Sequence, residues 1–123
     1  MFKKNKRFFL VTIILYIASV SGLVMADGKA LYNSNGCGTC HGPAGKGDGP
    51  AAAAMNPKPR SFSSGDFTYD TDGDGVKGSD ADLLNILKNG TAKYGGSPTM
   101  PGRADIPEAD LKAIIGYIRT LKN

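Results

Sequence analysis

Five consecutive residues, Cys37-Gly38-Thr39-Cys40-His41, constrain this chain more than any other stretch. Two thiols three positions apart on a helical turn can reach the two vinyl groups of one haem and form thioethers. The next residue then falls beneath the iron and can offer it an imidazole nitrogen. The sequence holds two cysteines and one histidine in all, and these three lie within the five positions. Competing readings fit less well. A thioredoxin-like redox pair belongs in a βαβ context, whereas this chain shows helical periods and Gly-rich loops. A closed structural zinc site takes four ligands, and the sequence has no fourth Cys or His. A plain disulfide leaves His41 without a role.

Residues 1–26 read as a secretory leader. Lys3, Lys4, Lys6 and Arg7 precede an almost wholly apolar run from Phe8 to Ala18, and Val24-Met25-Ala26 offers a cut before Asp27. The other reading is an uncleaved anchor: the 19 residues from Phe8 to Ala26 could span a thin bilayer, although Ser19, Ser21 and Gly22 weaken it. Export suits the motif, because an oxidising compartment tolerates Cys-x-x-Cys chemistry.

The leader also changes the charge argument. The formal charge of +4 arises from 15 basic and 11 acidic residues, and four of the basic ones lie before residue 27. The remainder is neutral, so its charge points to no nucleic-acid partner. The 97 residues from 27 to 123 suit one small domain, with a limited core that a bound cofactor could staple.

Helical signals punctuate that domain. Asp27 to Asn35 is a short helical stretch in which Gly28 and Tyr32, four apart, share a face. Gly42 to Pro50 is a loop by composition, Ala51–Ala54 allows one helical turn, and Asn56-Pro57-Lys58-Pro59-Arg60 is extended or turning. Phe62 and Phe67 are expected to point inward. Ser79 and Asp82 form a capping box with Asp in place of Glu, opening a helix whose apolar face is Leu83, Leu84, Ile86 and Leu87 and whose end is Asn89-Gly90. Thr91–Arg103 is a Gly/Pro loop without a period. A last helix starts near Pro107, with Leu111, Ile114, Ile115, Ile118 and Leu121 recurring at three and four.

Asp70, Asp72 and Asp74 at alternate positions, with a Val76 carbonyl to follow, make the first half of a calcium loop. The second half is missing, because the twelfth position is Ala81 where a bidentate Glu belongs. A solvated acidic turn is the preferred reading over calcium. For a second iron ligand, Met100 sits in a loop held by Pro98 and Pro101, 59 residues beyond His41, and can carry a thioether sulfur to the iron. Met55, in the Ala-rich turn, is expected to pack in the core.

The motif at Cys37–His41, the run Gly42-Pro43-Ala44-Gly45-Lys46-Gly47-Asp48-Gly49, the helix end Leu87-Lys88-Asn89-Gly90, Met100-Pro101 and the closing Ile114-Ile115-Gly116-Tyr117-Ile118-Arg119 together resemble the class I c-type cytochromes across 27–123. The resemblance implies an all-α fold, about three to five helices wrapped around one covalent haem, with the first and last helices crossing near right angles. Gly28 and Tyr32 match the family's contact residues on the first helix, and Ile114 and Tyr117 those on the last. A proline carbonyl accepting the proximal His N–H is also implied; Pro50, Pro57 and Pro59 compete, with Pro50 preferred. Arg60 would face a haem propionate or water. The departure from the pattern is an acidic insert at 66–82, with six Asp against one Lys, like that of bacterial members related to oxidase-associated c subunits.

In function, the resemblance implies a one-electron carrier rather than an enzyme, with haem c bound through Cys37 and Cys40 and a low-spin iron ligated by His41 and Met100. It would work as a periplasmic monomer of a respiratory chain, meeting redox proteins by small transient contacts. Membrane contact would come through those partners or an uncleaved leader. The alternatives are a dedicated haem subunit of a larger oxidoreductase, and an open-site haem sensor or peroxidase. The insert, net −5 against +3 for residues 83–123, is expected to form a negative patch that modulates partner choice.

Overall fold

The computed structural model describes residues 27–123, and the expected leader at 1–26 lies outside the described residues. Among the described residues the regular elements are all helical: α1 (Gly28–Ser34), α2 (Cys37–His41), α3 (Asp80–Asn89) and α4 (Glu108–Thr120), with 3-10 turns at Ala52–Ala54 and Ala92–Tyr94. The expected all-α class is the one adopted. The remaining backbone pairing of the extended kind is a single bridge between Gly90 and Pro101.

The core forms where α1 crosses α4. Asp27 caps α1 through its carboxylate, which accepts from the N–H groups of Lys29 and Ala30 at 3.0 and 3.3 Å. One residue on, Gly28 sits against the backbone of α4. A Cβ there would overlap the Ala113 carbonyl oxygen and come within 3.0 Å of Tyr117 Cβ, so the absence of a side chain is what permits the approach. One turn later Tyr32 is fully buried, its ring edge-on to Tyr117 with centroids 5.2 Å apart. Both phenols find acceptors in the same loop: Tyr32 donates to the Gly42 carbonyl at 2.7 Å, and Tyr117 to the Pro43 carbonyl at 3.2 Å. The two helices and the loop after His41 are thereby joined.

α4 contributes Leu111, Ile114, Ile115 and Ile118 to the core, as their spacing predicts. Pro107 stands one position outside the helix as its N-cap rather than inside the first turn, and its carbonyl accepts from Asp110 and Leu111. α3 buries Leu83, Ile86 and Leu87, with Leu84 packed partly against the same cluster. Its capping box is present: Ser79 Oγ accepts from Asp82 N at 3.1 Å, and Ser79 N donates to Asp82 Oδ2 at 2.9 Å.

Asp82 does more than cap. Its side chain is fully buried, and the carboxylate accepts from Thr71 N (2.6 Å), Thr71 Oγ1 (2.8 Å), Ser79 N and Ser79 Oγ (2.9 Å each). The Thr71 N–H leads the donors that hold this carboxyl well below the usual carboxylate range, against the opposing effect of burial. Arg119, near the end of α4, donates to Asp80 Oδ1 at 2.6 Å and to the Gly78 carbonyl at 2.8 Å, and its guanidinium lies over Phe67. The acidic insert is therefore tied to both α3 and α4. No helix among the described residues is long and apolar enough to cross a membrane.

Candidate functional site

Gly36, with a φ of 76°, turns the chain from α1 into α2, and α2 is little more than one helical turn. That turn carries both thiols and the imidazole. Cys37 and Cys40 are half-buried and unpaired with each other, and both open onto a cavity of 480 Å3. His41 lines the same cavity, as do both methionines of the described residues, Met55 and Met100. Cys37, Cys40, His41 and Met100, the four residues singled out in the sequence, are thus brought to one space. Met55, expected in the core, instead borders it: the Ala52–Ala54 turn ends at Met55, whose extended backbone (φ −99°, ψ 136°) carries the chain along the cavity.

His41 Nδ1 lies 2.9 Å from the carbonyl oxygen of Arg60. A carbonyl only accepts, so Nδ1 carries the proton and Nε2 is left bare. Burial pushes the ring below its ordinary pKa, with the Arg60 carbonyl acting in the opposite direction, and the neutral ligating form is favoured. The expected acceptor, a proline carbonyl with Pro50 preferred, is therefore corrected to Arg60. The reason is local. Gly49 N and Ala51 N donate back to the Cys40 and Thr39 carbonyls, which ties the backbone on either side of Pro50 to the end of α2, while Pro50 itself is exposed. The segment 59–62 instead passes beneath the motif, with Phe62 N donating to the Gly45 carbonyl at 2.6 Å. Phe62 stacks on His41 with centroids 4.6 Å apart and planes 23° apart, so the imidazole is held by a ring as well as a hydrogen bond.

The walls are mostly apolar: Leu83, Ile86 and Leu87 from α3, Ile118 from α4, and Phe62 and Phe67 pointing inward as expected. Beyond Phe67, the acidic insert supplies wall through Thr68, Tyr69 and Gly78, which its charge pattern concealed. Among the described residues, three cations, Lys58, Arg60 and Arg103, line the cavity, and no carboxylate does. The Arg60 guanidinium donates to the Asp66 carbonyl (2.7 Å) and Thr68 Oγ1 (3.0 Å), which fastens the start of the insert. Burial pushes the Cys37 thiol up, and the Arg103 guanidinium pulls it partly back.

These residues fit a covalently held haem. Two thiols on one turn, an imidazole with a bare Nε2, a thioether sulfur and an apolar lining make a suitable donor set, in a cavity within the usual range for bound cofactors. The other candidate set is on the surface. Carboxylate oxygens of Asp70, Asp72 and Asp74 lie within 4.8 Å of one another. They accept from their own loop: Asp70 from Gly73 N and Gly75 N, Asp72 from Asp74 N, and Asp74 from Val76 N. Val76 takes part in this hydrogen-bonded turn through its N–H; its carbonyl would serve as a ligand only if calcium bound.

A family model described as "Cytochrome c" matches residues 25–122. No curated protein matches. Among solved structures, a chain of the Kuenenia stuttgartiensis reducing HAO-like protein complex is 27% identical with a TM-score of 0.63, over 79% of this chain and 42% of that one. The present chain thus spans about two fifths of the length of that neighbour.

Proposed function

The chain belongs to the cytochrome c family, whose activity is haem-based electron transfer, and on that premise we propose that it is a one-electron carrier with haem c joined to Cys37 and Cys40 and with His41 and Met100 as axial ligands. The observation that carries this reading is the convergence of those four side chains on one apolar cavity, with His41 Nε2 left bare by the bond from Nδ1 to Arg60. When bound, the haem supplies a reversible ferrous–ferric couple, and a Met/His pair places its potential above that of two nitrogen ligands. The protein's own part is positional. Arg60 and Phe62 fix the imidazole plane, and both ligands stay in place through a turnover, so little has to rearrange. The aliphatic wall from α3 gives the haem an apolar surface to pack against, and a low local dielectric there strengthens electrostatic interactions.

The purified ferric protein tests this. A low-spin spectrum with a methionine–iron charge-transfer band is expected, lost in Met100→Ala and retained in Met55→Ala. A high-spin spectrum with immediate carbon monoxide binding by the reduced protein favours the open-site sensor or peroxidase. Intact mass reports the thioethers and the proposed cut before Asp27 that would place the protein in the periplasm.

A second reading is a dedicated subunit of a larger oxidoreductase, favoured by the neighbour that belongs to a multi-protein redox complex. Native mass and co-purification separate it from a free monomeric carrier meeting redox partners transiently. In either case the acidic loop is the proposed partner-facing patch, a solvated turn rather than a calcium site.

A further inference from the structure

Arg103 was not singled out by sequence, yet it joins three parts of the molecule. Its backbone N–H donates to the Leu87 carbonyl of α3 at 2.7 Å. Its Nη1 donates to the Asn35 carbonyl at 2.7 Å, across 68 residues. Nε and Nη2 clasp Asp105 Oδ1 and Oδ2 at 3.0 Å each, which orients the guanidinium plane. Asn35 is the C-cap of α1 and stands two residues before Cys37. The last turn of α1 has no basic residue, so Arg103 supplies from a distance the cation that a helix C-terminus favours.

Arg103 also closes the segment that carries Met100. On one side of Met100 the chain is pinned by Thr91 Oγ1, which donates to the Ser97 carbonyl at 2.6 Å. On the other, Pro101 bridges Gly90, and Gly102 passes the end of α3 so closely that a Cβ would lie 2.7 Å from the Asn89 carbonyl carbon. The next residue is Arg103. One side chain therefore connects the Met100 segment to the turn that delivers Cys37, and both borders lie on the cavity.

We propose that Arg103 is the positioning residue that holds Met100 at a fixed distance from the attachment motif, tying the sixth-ligand loop to the C-terminus of α1. The proposal rests on the reading of Met100 as an iron ligand. It concerns how firmly that ligand is held rather than whether haem is attached.

The test is the rate at which cyanide displaces the sixth ligand of the ferric holoprotein, with the charge-transfer band as a second readout. Loss of a hydrogen bond from a charged group is expected to raise the rate in Arg103→Ala roughly tenfold or more. Ile115→Val, destabilising in the core away from this tie, is expected to stay within about twofold of the parent, since it does not remove the contact. If Arg103→Ala does not fold, Arg103→Lys is measured; it keeps the charge without the planar fork and is expected to rise about threefold. A rate in the folded Arg103 variant no higher than in Ile115→Val overturns the proposal. If instead Met100→Ala leaves the spectrum of the parent unchanged, the ligand assignment itself is what fails, and the tie to it fails with it.

Discussion

The α1–α4 crossing and the acidic insert both bound the cofactor cavity, but they are held by different physics. The crossing relies on close approach and burial: Gly28 against the Ala113 carbonyl, and fully buried Tyr32, Leu111 and Ile114. The insert has exposed aspartates and an exposed Val76, and it is fastened by directed polar bonds to Asp82 and Arg119. A wall made by packing loses stability in proportion to the atoms removed. A wall made by a few bonds depends on one or two groups, and on their ionisation.

The sharpest way to break this contrast is Tyr32→Ala. It empties a fully buried site and unpairs the Gly42 carbonyl, and is expected to cost about 4 kcal/mol by denaturant unfolding. A loss below about 1 kcal/mol, ordinary for a surface position, would erase the distinction. Next comes Asp82→Ala, which leaves the Thr71 and Ser79 donors without their acceptor. The melting temperature is expected to fall by roughly 10 °C, with faster amide exchange at residues 67–79 and little change in α1. Equal acceleration in both regions would show that the insert is not a separate unit.

Acid should reproduce that effect in the parent. The Asp82 carboxyl lies below its ordinary value in the folded protein, so its stabilisation is complete above the unfolded carboxylate range near pH 4 and is lost as pH falls through the folded value. Amide exchange measured from pH 5 downward is expected to loosen the insert before the crossing. An order that is reversed, or absent, counts against the assignment.

The smallest effect on stability is expected at the tip of the insert. Replacing Asp70, Asp72 and Asp74 with Asn is expected to change unfolding free energy by less than about 1 kcal/mol, and calcium titration to leave the melting temperature of the parent unchanged. The rate of electron exchange with a redox partner, and its salt dependence, should change. No change in either would remove the insert from partner selection and leave it only the role of a wall.

What could be read from the sequence follows the same divide. The haem motif, the capping box at Ser79 and the face of α4 are side-chain patterns at short spacing; the contact of Gly28 and Tyr32 with Tyr117 follows what the family resemblance implies. The acceptor for His41 could not be read, because it is a main-chain oxygen at Arg60 and carries no residue signature. The wall at Thr68, Tyr69 and Gly78 is hidden by the charges around it, and the bond from Arg103 to Asn35 by 68 intervening residues. Met55 was misread because an alanine run suggests packing, whereas the short turn ends in time to bring the next residue to the cavity.

Arg60 presents two faces to two different tasks. Its side chain is exposed beside the insert, while its carbonyl holds the imidazole. Every amino acid carries that carbonyl. Substitution at position 60 can therefore retune the charge shown to a docking protein and leave the hydrogen bond to His41 standing. A single codon can thus exchange the side chain that binds Asp66 and Thr68 and keep the oxygen that orients the imidazole.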